Sequence, residues 1–281
     1  MAEDLTIIVV ALIAGEALDA CLRTVRAQSA NCLVVNRDGT VVDGDGRTVG
    51  IADRLDVPAK RRSAVELART PLVALLEDTV VPVSGWVDAV VHGLNQDGVV
   101  ACGGPVTIAD DLPAQTRALS LSEYGRFNDR VPAGEVSGLP GCNFAFKREA
   151  LLEAMRGSAG LVDLEVVRHL KENGGTIFWS PAMKVGFSRA FPEGARLLTR
   201  FDHGRITASL AARGPLNRAM SAAKSLLLPA VLTARTVRQC GFAQLRSVPT
   251  LAWLVLQHSA WAAGELTGAV LGSPRGVSQW R

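Results

Sequence analysis

The residues of this chain with the most evident chemistry gather at one point. An apolar run, Leu72 to Leu76, ends in two carboxylates, Glu77 and Asp78, followed by Thr79. A short apolar run bounded by a turn signal reads as a strand buried on both faces. Acids at its carboxyl end sit where open α/β sheets bind ligands. Two carboxylates there can hold a divalent cation or grip sugar hydroxyls. The plainer reading is an acid pair making turn hydrogen bonds. Just upstream lie Arg61 and Arg62. A guanidinium pairs well with phosphate; otherwise the two begin a solvated helix.

Other chemistries find little support. The five cysteines (21, 32, 102, 142 and 240) form no Cys-x-x-Cys pair and are odd in number, which implies reduced thiols in a cytoplasmic setting. Cys142 has no histidine beside it in sequence and reads as a small buried residue. The four histidines, 92, 169, 203 and 258, show no metal-ligand spacing. The opening run, MAEDLTIIVVALIAG, has acids where an export signal needs basic residues, so it reads as a strand.

The elements that must position the acids alternate. Residues 5–12 read as a strand, 16–28 as a helix, 32–36 as a strand, 61–69 as a helix and 72–76 as a strand. A helix over 86–94 and a strand over 98–103 continue the pattern. Such alternation predicts βαβ units and a mostly parallel sheet. Residues 104–140 are mixed; then follow a strand at 143–147, a helix at 148–156, a helix at 162–175 and a strand at 176–181.

The rear of the chain differs in character. Between Arg189 and Arg246 ten basic residues face Glu193 and Asp202, a net +8 that leaves −5 on the remainder of a chain carrying +3. This asymmetry predicts a surface that meets something anionic, an anionic membrane or a pyrophosphate; a solvated helical face is the plainer alternative. With few aromatics to stack bases, nucleic acid is not the expected partner. Residues 248–271 are long enough to cross a bilayer but carry Gln257, His258 and Glu265, each costly at depth. An amphipathic helix in the interface, one packed on the domain, and a span all remain open.

Three stretches together resemble the family 2 inverting glycosyltransferases: LTIIVVALIAGEALDACLRTVRAQ, LVALLEDTVVPVSGW, and LPGCNFAFKREALLEAM with VDLEVVRHLKENGGTIFWSPAMKV. The resemblance covers residues 5–188, with weaker similarity through 200–205. It implies an α/β nucleotide-diphospho-sugar transferase domain of the A type over residues 1–190; the basic, apolar helical extension over 191–281 is expected at the cytoplasmic membrane face, peripheral or interfacial, with a cytoplasmic protein as the alternative. The implied partners are a nucleotide-diphospho-sugar donor and a glycan or lipid-linked acceptor.

The resemblance also assigns roles. Asp163 takes the place of the general base at the start of a helix, with Glu165 as the second acid on the acceptor side. Asn36 and Asp38 stand where the family binds the base of the donor, and Arg61-Arg62 where it has an Arg-Asn pair. Glu77, Asp78 and Thr79 occupy its acidic triplet, whose last member chelates the metal; here that member is Thr79, leaving Asp78 as the candidate ligand for magnesium or manganese. Phe187 or Ser188 stands where a third ligand, histidine, often follows. Gly141, Cys142 and Asn143 fall on the acceptor side. Without a metal, the leaving diphosphate needs arginines: Arg61, Arg62, or Arg200 and Arg205. The implied activity is sugar transfer with inversion. The alternative is a catalytically silent relative that binds sugar nucleotide or acts as a scaffold at the membrane. A nucleotidyltransferase of similar architecture would want a Gly-rich first turn, and IAGEALDA has one glycine.

Overall fold

The computed structural model describes residues 2–29, 31–156, 158, 160–187, 195–211 and 215–272. Ser188 and the expected boundary at 190–191 lie outside them. The chain forms two compact units: residues 1–109 with 127–189, and residues 110–126 with 190–281.

The first unit begins with β1 (Leu5–Val10), α1 (Glu16–Arg26) and β2 (Cys32–Val35). A hairpin of β3 (Thr40–Val42) and β4 (Thr48–Ile51) follows, then α2 (Val57–Leu67) and β5 (Leu72–Glu77). Next come β6 (Val80–Pro82), α3 (Trp86–Leu94), β7 (Val99–Gly103) and β8 (Val106–Ile108). The chain then leaves for the second unit as α4 (Ala114–Tyr124). It returns through β9 (Gly134–Glu135), β10 (Asn143–Lys147), α5 (Arg148–Ala154), α6 (Asp163–Glu172), β11 (Thr176–Trp179) and β12 (Val185–Phe187).

Nine strands form one sheet in the order β4-β3-β2-β1-β5-β10-β7-β11-β9. β1 lies parallel to both β2 and β5, and β7 parallel to β11. β10 enters antiparallel between β5 and β7. Every residue of β1 and β5 is buried, as continuous apolar runs in a sheet covered on both faces require. A second sheet, β6-β12-β8, is built from strands of three residues each.

Asn143, at the start of β10, ties these parts together. It is fully buried. Its amide nitrogen donates to the Gly104 carbonyl at 3.1 Å and the Met183 carbonyl at 2.7 Å, and its oxygen accepts from Trp86 Nε1 at 2.9 Å. A buried amide with its groups satisfied in this way fixes a local structure.

The second unit holds α4 with α7 (Ala195–Ala211), α8 (Pro215–Ser225), α9 (Leu228–Cys240) and α10 (Val248–Leu271). α8 ends at Ser225, and Pro229 lies in the first turn of α9, where its missing N–H is harmless. α10 packs mainly on α7. The contact is close because a Cβ on Gly264 would overlap the Phe201 carbonyl. Gln257 and His258 of α10 are buried, with His258 Nδ1 2.9 Å from the Thr233 hydroxyl of α9. No helix among the described residues is long and apolar enough to cross a membrane.

Candidate active site

β1 and β5 end side by side, with Val10 opposite Glu77. Asp78 follows and is completely buried. Its Oδ1 accepts from the Leu12 N–H at 2.9 Å, and its Oδ2 from the Ile13 and Ala14 N–H groups at 2.9 and 2.6 Å. The loop from β1 to α1 is thereby wrapped around one carboxylate. Within that loop Ala14 adopts φ of 65°, a left-handed conformation that costs a non-glycine residue energy. Three charge-assisted hydrogen bonds offset that cost.

Glu77 is engaged differently. Arg61, from α2, donates Nη2 to Glu77 Oε1 at 2.6 Å and to the Gly141 carbonyl at 2.6 Å. Its guanidinium lies 5.3 Å from the centre of the Phe144 ring. Both partners of the ion pair are buried, so loss of either would leave the other charge uncompensated. Thr79 is buried and its hydroxyl lies 3.4 Å from Glu77 Oε2.

Asp163, the first residue of α6, reaches the same place from the other side. A Cβ built on Gly141 would lie 3.1 Å from Asp163 Oδ2 and 3.5 Å from Arg61 Nη2. Glycine is what lets the carboxylate and the guanidinium share this position. The loop before α6 is anchored on α2: the Leu161 N–H donates to the Pro58 carbonyl at 2.8 Å, and Leu161 and Val162 are buried. Asp163 itself is half-exposed. Among the described residues no hydrogen bond or ion pair holds its carboxylate. Glu165, two residues on, is also half-exposed.

The three consecutive cations of α2 diverge, as about 100° of rotation per residue requires. Arg61 turns to the strand ends. Arg62 turns outward, to Glu66 at 2.8 Å and to the Ser158 carbonyl. There it lines a small surface pocket with Asp53, Arg54 and Ser63. Lys60, which the sequence reading passed over, turns to the end of β2 and donates to the Arg37 carbonyl at 2.8 Å. Burial, and then the nearby Arg37, lower its pKa, while Asp38 and Asp56 oppose the shift.

Asp38 is exposed in the β2–β3 turn, where its Oδ1 accepts from the Thr40 N–H at 3.0 Å and the Thr40 hydroxyl at 2.7 Å. Hydrogen bonds from Thr40, the backbone one first, hold its carboxyl below the usual range. Asn36 donates to the Thr40 hydroxyl at 3.0 Å.

The structure thus brings together Arg61, Glu77, Asp78, Thr79, Gly141 and Asp163. Asn36, Asp38 and Lys60 form a second group at the end of β2. Cys142 and Asn143 lie inside the scaffold, both fully buried. Arg200 and Arg205 are engaged within the helical unit. Arg200 is buried beside Glu123 at 3.3 Å, with its guanidinium 4.5 Å from the centre of the Trp261 ring. Arg205 donates to the Gly272 carbonyl at 2.9 Å.

The donor set at the strand ends does not suit magnesium or manganese. The Asp78 oxygens face backbone N–H groups, Glu77 is paired with Arg61, and position 79 offers a hydroxyl. Hard divalent cations want several converging oxygens. No group of three His, Cys, Asp or Glu side chains among the described residues could hold a metal ion.

A sheet with a parallel core, an antiparallel strand beside β5 and acids at the strand ends is the architecture of the A-type nucleotide-diphospho-sugar transferases. The chain is similar to the mannosyltransferase PcManGT from Pyrobaculum calidifontis in complex with GDP-Man and Mn2+, at a TM-score of 0.56 and 15% identity, over 95% of this chain and 87% of that one. It also matches GalNAc-T7 with UDP, GalNAc and Mn2+, at a TM-score of 0.46 and 13% identity, over 66% of this chain and 44% of that one. No protein-family model and no curated protein sequence matches the chain.

Proposed function

We propose that this protein is an inverting glycosyltransferase of the family 2 type. It would move a sugar from a nucleotide-diphosphate donor to a hydroxyl of a glycan or lipid-linked acceptor, with Asp163 as the base. The observation that carries this reading is the meeting of Asp163 and Arg61 over Gly141, at the carboxyl end of β5. A half-exposed carboxylate without a partner among the described residues is available to a substrate proton. Glu77 and Asp78 are committed to Arg61 and to the β1–α1 loop.

In the proposed reaction the Asp163 carboxylate takes the proton of the acceptor hydroxyl as its oxygen attacks the anomeric carbon. The bond from that carbon to the diphosphate oxygen breaks, and the nucleotide diphosphate leaves with the bonding pair. Negative charge then grows on the departing phosphate, and cations held in place lower its energy. Lys60 and Arg61 are buried cations facing the strand ends of this unit. Arg61 also carries Nε and Nη1 N–H groups beyond the Nη2 that donates to Glu77 and Gly141. Attack opposite the leaving group inverts the anomeric centre.

The engagement of Asp78 with backbone also favours a second reading, a relative that binds sugar nucleotide without transfer. A panel of nucleotide-diphospho-sugars separates the two. The full chain is incubated with each donor and a hydroxyl acceptor, with and without manganese. Nucleotide diphosphate release and the anomeric configuration of any product are then followed by NMR. Release with an inverted product supports transfer. Donor binding with no release supports the silent relative, and a retained configuration contradicts the role given to Asp163.

A further inference from the structure

The helical unit presents an outward face whose composition is unusual for water. On α9 and its N-cap, Leu227, Ala230, Val231, Ala234, Arg235 and Arg238 recur at three- and four-residue spacing, and all are exposed. Residues so spaced share one side of a helix. Leu227 is 67% exposed and Val231 54%. The opposite side, with Thr236 and Cys240, is buried where α9 packs on α10 and α4. The stripe is therefore apolar along most of its length and becomes cationic at its carboxyl end. Lys224, exposed at the end of α8, adds a cation near the other end.

The charge of the surroundings points to the occupant. From residue 203 to residue 264 the chain contains no aspartate or glutamate. Among the described residues Lys224, Arg235 and Arg238 make no ion pair. A second copy of this chain would fit poorly, because a two-fold contact sets this face against itself and residues 203 to 264 offer no carboxylate to meet the cations. A lipid headgroup layer fits well: apolar side chains enter the acyl boundary while cations meet the phosphates above it.

We infer that the outward face of α9 docks on an anionic lipid surface. This inference is independent of the transfer reaction, since binding is measured without donor.

The test is flotation of the full chain with phosphatidylcholine vesicles, with or without phosphatidylglycerol. The protein should float with the anionic vesicles at low salt and be released by high salt, as the Debye length contracts. Charge removal in Arg235→Gln/Arg238→Gln should weaken binding by about fivefold per side chain. Leu227→Gln/Val231→Gln should weaken it by about tenfold or more, through lost apolar burial. All four positions are exposed, so the thermal midpoint should hold, and circular dichroism verifies the fold of each variant. Failure of the wild type to float with anionic vesicles overturns the inference, as does equal flotation of folded variants. So does a wild-type dimer that these substitutions dissolve, which would make the face a contact between copies.

Discussion

The acids at the end of β5 and the acid at the start of α6 face the same small space but live under opposite conditions. Asp78 is fully buried with three N–H groups on its oxygens, and Glu77 is paired with Arg61. Asp163 is half-exposed and has no protein partner among the described residues. The conspicuous acid pair is therefore held by the scaffold, and under the proposed function the less conspicuous acid is the one that reacts. Acidic character at a strand end is evidence for a ligand-binding architecture; which acid does chemistry depends on which one the scaffold leaves unbonded.

This contrast can be broken at several points. The largest effect is expected from Asp163→Asn, which should lower transfer by about a thousandfold, within the range for loss of a general base, while the thermal midpoint stays within a degree or so of wild type, as for other surface changes. An assay of initial rates beside a melting curve checks both halves. Asp78→Ala should do the reverse in kind. It removes the acceptor of three N–H groups and should cost about 3 kcal/mol of stability, seen as a lower denaturant midpoint, with weaker donor binding as the β1–α1 loop loosens.

A third prediction sharpens the contrast from outside it, in the helical unit. Burial, then Arg200, push the His258 pKa down to about 4. Its unfolded value is higher, so the unfolded chain binds more protons between the two. Stability from this group is present above the unfolded value of about 6.5 and falls as pH drops from there toward about 4, by about 2 kcal/mol. His258→Gln should flatten that slope in urea titrations across this window. His203, held down to about 3 mainly by burial, acts in the same direction. The smallest effect is expected from Gly141→Ala. Its Cβ would crowd Asp163 Oδ2 at 3.1 Å, displacing the carboxylate slightly and slowing transfer by about tenfold with little loss of stability. A drop in donor binding instead of turnover would show that Gly141 serves the Arg61 side.

Much of this arrangement was legible in the sequence. Continuous apolar runs marked β1 and β5, the helical spacing of 162–175 led to α6, and the resemblance singled out Asp163. What escaped was set by distance along the chain or by shortness. The Asp78 carboxylate meets backbone about 65 residues away, and no local pattern announces such a bond. β6, β8 and β12 are three residues each and form a sheet only because the fold brings them together. α4 lies inside a stretch that read as mixed, since it is only weakly amphipathic and joins the helical unit rather than its sequence neighbours. Lys60 carries no signal of its own beside two arginines, although helical rotation separates the three. α10 stands over Val248–Leu271 as expected, but Gln257 and His258 are buried in the packing of the helical unit.

Carboxyl labelling tests the central contrast most directly. The folded chain is treated with a carbodiimide and an amine, and modification of each acid is followed by peptide mass spectrometry. Asp163 should be labelled readily while Asp78 and Glu77 stay protected until the protein unfolds. Labelling of Asp78 in the folded protein, or protection of Asp163 without substrate, would contradict the account.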